Sequence, residues 1–130
     1  MSSSIISFLA YGAAVLFGVS ITLQLLLAAG VLPVTMAWGG RQSTLTTSLR
    51  FASLAAAVVL GFFAYVMLRR AGIVGSDNPP TIIKALSWVI TAFLALNMAG
   101  NFASKSRGEK LLFAPITLLL TVACFVISIS

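Results

Sequence analysis

Apolar residues fill four long stretches of this chain, roughly residues 5–32, 49–68, 82–103 and 107–129, while three of the four Pro and half of the ten charged residues fall in the three short connectors between them. At about 1.5 Å of rise per residue, a helix over any of these stretches is long enough to cross the roughly 30 Å hydrocarbon layer of a bilayer. The pattern predicts an all-α integral membrane protein made as a single domain, a four-transmembrane-helix antiparallel up-down bundle.

The connectors carry the punctuation. Pro33 is expected to end helix 1, and the stretch that follows holds Trp38, Gly39, Gly40 and Arg41, an indole and a cation suited to the headgroup level. Thr46, Thr47 and Ser48 offer N-caps for helix 2. Helix 2 closes on Tyr65, Arg69 and Arg70, an aromatic followed by cations that can snorkel to the interface. Gly72, Gly75, Asp77, Asn78, Pro79 and Pro80 make the next connector a dense set of helix stoppers, and Lys84 and Trp88 stand near the entry to helix 3. Ser106 and Glu109 have the spacing of a capping box, so helix 4 is expected to begin near Arg107. That start places Pro115 inside the helix, where a bend is expected.

Composition narrows the chemistry. Only 8% of residues are charged, against about 25% in an ordinary soluble domain, and the mean hydropathy is +1.12. The net charge of +6 comes from cations beside apolar segments, so anionic lipid headgroups, and not nucleic acid, are the expected counter-charge. Trp38, Arg41, Arg69, Arg70, Trp88, Lys105, Arg107 and Lys110 are the expected lipid-headgroup or interface residues. A single cysteine, Cys124, excludes an intramolecular disulfide, and the absence of histidine removes the usual haem, zinc and general-base chemistries. No cofactor is expected. The N-terminal stretch lacks a basic n-region and exceeds a signal-peptide core in length, so it reads as a retained first transmembrane helix.

Four crossings would put Arg69, Arg70 and Lys84 on the side of the termini, and Arg41, Arg50, Lys105, Arg107 and Lys110 opposite. The positive-inside rule then turns both termini outward from the cytoplasm, by an excess of two charges. A bacterial or archaeal plasma membrane is the expected location.

Polar side chains within the stretches are the best clue to function, because each is costly in hydrocarbon unless paired. Gln24, Ser53, Asn97, Asn101 and Thr117 all fall towards the side of the first and third connectors. Asn97 and Asn101, four residues apart beside Gly100, share a helix face that is expected to point into the bundle. The cluster would either clamp helices together or form a small polar vestibule for a ligand headgroup or an ion.

In size the chain resembles the small multidrug resistance transporters, which depend on a carboxylate in the first helix; helix 1 here offers Gln24 instead. It is similar in size to the dual-topology fluoride channels too, without their phenylalanine-rich pore motif or first-helix arginine. An enzyme needs a nucleophile with its base, a metal with its ligands, or clustered carboxylates, and Asp77 and Glu109 fall in separate connectors. The expectation is a structural, accessory or lipid-binding membrane protein partnered by lipids, with a homo-oligomer or larger membrane complex as its setting. The alternative is a small transporter or channel working as a homo-oligomer through the vestibule.

Overall fold

The computed structural model describes residues 3–33, 46–75, 78–104 and 106–130. Trp38, Arg41, Asp77 and Lys105 lie outside the described residues. Four helices are present: α1 (Ser3–Ala29), α2 (Thr47–Arg70), α3 (Thr81–Phe102) and α4 (Ala114–Ile129), the last preceded by a π-helical turn, Glu109–Phe113. Among the described residues there is no strand. All four helices are long and apolar enough to cross a membrane, the fourth counted with its π turn as Glu109–Ile129.

The helix boundaries follow from local chemistry. Helix α1 stops at Ala29, earlier than Pro33 would require, because Gly30 takes a φ of 82°. Its N–H donates to the Leu27 carbonyl and the next one, from Val31, to that of Leu26. These two bonds form the Schellman arrangement that satisfies terminal carbonyls, and glycine is the residue that enters it without steric cost. The same device ends α2. Gly72 has a φ of 79°, Gly72 N–H donates to Arg69 and Ile73 N–H to Leu68. At the start of α2, the Thr46 hydroxyl accepts the Leu49 N–H at 3.2 Å, as the sequence suggested.

The fourth helix departs from a simple bent α-helix. Helical geometry begins at Arg107, and the Ser106 hydroxyl accepts the Glu109 N–H at 3.3 Å. Pro115 has no N–H for the carbonyl four residues back, and its ring crowds the preceding turn. The backbone widens ahead of it: the Ala114 N–H donates to the Glu109 carbonyl, five residues away, and regular α-helix runs on from there. Pro115 therefore stands in the first turn of α4, where proline is tolerated.

Helix α1 packs chiefly on α2 and also on α4; α3 packs chiefly on α4 and more lightly on α2. Phe17, Val66, Met67, Ile90, Leu94, Leu120, Cys124 and Ile127 fill the shared core. An edge-on contact of Phe63 with Phe93, centroids 5.5 Å apart, extends the α2–α3 seam. Only 28% of the most apolar window in α1, α2 and α3, and 39% in the fourth span, is buried, so most of each helix faces outward. That outer surface includes Phe8, Val58, Leu96 and Leu111, each about three-quarters exposed.

Candidate polar sites

Two groups of hydrogen-bonding side chains join α3 to the fourth helix. In the first, Asn101 Nδ2 donates to Thr117 Oγ1 at 3.1 Å. The Thr117 hydroxyl lies 2.8 Å from the Phe113 carbonyl and 3.1 Å from that of Ala114, so it gives its proton to its own helix and keeps lone pairs for the amide. This bond sits one turn beyond the π segment, where the backbone is least regular.

The second group is one that the sequence reading missed. The Thr91 and Ser128 hydroxyls meet at 3.3 Å, and both side chains are buried. Thr91 donates back to the Ser87 carbonyl at 2.8 Å, and Ser87, fully buried, donates to Lys84 at 2.7 Å. Beside them, one Arg70 Nη2 reaches across from the end of α2 to the Ser128 carbonyl at 3.3 Å and the Ser130 backbone oxygen at 2.9 Å. A guanidinium there satisfies carbonyls that a helix terminus leaves orphaned and opposes the negative end of the helix dipole. The i, i+4 spacing of Ser87 and Thr91 was the available signal; both are small, and both lie on the buried stripe Ile83, Ser87, Ile90, Thr91 and Leu94. Ser128 and Thr117 are eleven positions apart, about 16 Å along a helix. The polar side chains are thus shared between two levels of the molecule.

The expected cluster is only partly assembled. Asn101 and Thr117 are joined, but Asn97 is exposed, as are Ala99, Gly100 and Ala103 beside it. The expectation that the Asn97 face points inward is corrected. The buried stripe of α3 runs through Leu94, and seven residues on, two turns later, the same face arrives at Asn101 and leaves Asn97 on the flank. Ser53 is 1% exposed, and neither its hydroxyl nor the buried Gln24 Oε1 has a hydrogen-bond partner among the described residues. Glu109 is buried, at 5% exposure, as the first residue of the π turn.

The cations fall into two kinds. Arg50, Lys84, Arg107 and Lys110 are exposed. Arg69 instead places Nη1 3.3 Å from the Tyr65 hydroxyl and lies over Gly75, where a Cβ would come within 2.8 Å of Arg69 Nε. Gly75 also has a φ of 78°, the conformation in which a side chain is strained, and a Cβ there would oblige the Arg69 side chain to move. Trp88 is 43% exposed and meets the Phe125 ring edge-on, centroids 5.8 Å apart. Among the described residues, no group of three or more His, Cys, Asp or Glu could hold a metal ion. No protein-family model, curated protein or solved structure matches the chain.

Proposed function

We propose that this chain crosses a bacterial or archaeal plasma membrane four times, as an antiparallel up-down bundle with both termini outside. Its role in this reading is structural, accessory or lipid-binding, without catalysis. The observation that carries the reading is the division of labour between surfaces: large apolar side chains face outward over all four helices, while the inward hydroxyls of Ser87, Thr91, Thr117 and Ser128 are tied to helix carbonyls or to one another. In water such an exterior would far exceed the few hundred Å² of contiguous apolar surface that a monomer tolerates, whereas lipid solvates it. The pairings Asn101 with Thr117 and Thr91 with Ser128 support the antiparallel course, since residue numbers fall along α3 as they rise along α4. Arg70 at the end of α2 touching the end of α4 supports those two helices running the same way.

The second reading, a small conducting or transporting homo-oligomer, draws on one observation. Among the described residues, Gln24 Oε1 and Ser53 Oγ are buried polar atoms without hydrogen bonds, and a polar path reaching them would satisfy both. Reconstituted vesicles separate the two. The accessory reading expects no ion flux above empty vesicles and recovery of a membrane partner with the chain in native-lipid nanodiscs; flux that Gln24→Leu abolishes would overturn it.

A further inference from the structure

We infer that the outward furrow between α3 and α4 holds one acyl chain of an anionic phospholipid, with the phosphate at Lys84. The inference deepens the membrane-spanning, lipid-binding reading and rests on it. The furrow is a shallow, open one of about 410 Å³. Its floor is low because Ala92 and Ala95 are small, and Val122 and Phe125 form the facing wall. Trp88 closes one end, edge-on to Phe125.

The lining is apolar for a specific reason. The two threonines in it, Thr91 and Thr121, turn their hydroxyls back onto the carbonyls of Ser87 and Thr117, at 2.8 and 2.6 Å. What they offer an occupant is the methyl group. A hydroxyl-rich or charged ligand would find no partner along this surface, whereas a hydrocarbon chain loses nothing. From Trp88 to Ala95 the furrow extends about 10 Å along α3, down from the interface towards the middle of the bilayer.

Charge at the mouth selects the lipid. Lys84 lies one helical turn before Trp88 on the same face, and helical side chains lean towards the N-terminus, which carries its ammonium away from the furrow and towards headgroup level. Lys84 is exposed, and its ammonium has no partner among the described residues. The neighbouring arginines are engaged: Arg70 with the end of α4, Arg69 with Tyr65. A phosphate at Lys84, an indole at the glycerol level and an acyl chain over Ala92 and Ala95 use the three parts of one molecule. A single cation near a membrane surface favours an anionic headgroup over a zwitterionic one by about fivefold.

The test uses the whole chain in phosphatidylcholine vesicles doped with phosphatidylglycerol that carries a diazirine in its acyl chain, or with phosphatidylcholine tagged the same way. Photolabelling should concentrate on residues 88–95 and 121–125, with the glycerol lipid favoured about fivefold. Lys84→Gln should remove that preference without moving the labelled positions, and Lys84→Arg should keep it. Ala92→Phe, at an exposed position, should displace labelling from the furrow while thermal unfolding stays unchanged. Labelling spread evenly over all four helices and indifferent to Ala92→Phe would overturn the inference, as would an efficient Val122→Cys disulfide between two copies in the bilayer. Failure of the underlying reading looks different: the chain would then be extracted from membranes by carbonate.

Discussion

Replacing Arg70 with methionine keeps most of the aliphatic stem and removes a long-range polar tie between the ends of α2 and α4. Two acceptors are lost, the Ser130 oxygen at 2.9 Å and the Ser128 carbonyl at a weaker 3.3 Å. A hydrogen bond to a charged donor contributes about 1.5–3 kcal/mol net, and a cation at a helix C-terminus a further 0.3–1 kcal/mol or so. Arg70 is only partly buried and one of its bonds is long, so a total near 2 kcal/mol is expected, about a thirtyfold shift in the unfolding equilibrium. The assay is reversible unfolding in bicelles by added SDS, with hydrogen exchange of the last turn of α4 read in parallel. Arg70→Lys should recover about half the loss, because a point charge keeps the dipole interaction but not the forked geometry. Arg69→Met is the internal comparison. Its side chain bonds to Tyr65 within α2, a pairing of the kind that contributes about 0.2–0.5 kcal/mol. Equal losses for the two arginines, or unchanged exchange at residues 127–130 in the Arg70 variant, would refute the reasoning.

Three further outcomes follow from the same contacts. Thr91→Val keeps the shape and breaks the bond to Ser128, so a loss of about 0.5–1.5 kcal/mol is expected, with a double-mutant cycle against Ser128→Ala showing coupling near 0.6 kcal/mol. Asn101→Leu should destabilise by roughly 1 kcal/mol through loss of Thr117, whereas Asn97→Leu, at an exposed site, should be neutral or stabilising in lipid; unfolding midpoints of the pair check the corrected direction of that face. Gly30→Ala must carry a Cβ at a φ of 82° and should cost about 1–2 kcal/mol, measurable by the same unfolding assay.

How much the sequence disclosed depended on the range of the interaction. The four helices were legible because hydropathy is a local sum, and the Thr46 and Ser106 starts because a cap lies within three residues of its target. Local competition was harder to read. Both Gly30 and Pro33 can stop a helix, and the glycine acts first because its positive φ satisfies the terminal carbonyls. At Pro115 the sequence announced a disturbance but not its form, a wider turn placed ahead of the ring. What packing decides was least legible. Asn97 and Asn101 share a face by periodicity, yet only the rotation of α3 against α4 determines which one meets Thr117. Arg70 looked like a surface anchor because its partners lie 58 and 60 residues away. Thr91 and Ser128 drew no reading from the sequence for the same reason, being 37 positions apart.

The central claim is that the four helices cross a bilayer with alternating direction, and cysteine accessibility tests it most directly. In a Cys124→Ala background, single cysteines are placed at Ser48 and Arg107, at Val74, and at Val58 and Leu118 on outward mid-helix faces. In sealed vesicles of one orientation, a membrane-impermeant maleimide should label 48 and 107 from one side, 74 only from the other, and 58 and 118 from neither. Ready labelling at 58 or 118, or access to 48, 74 and 107 from the same side, would contradict the account.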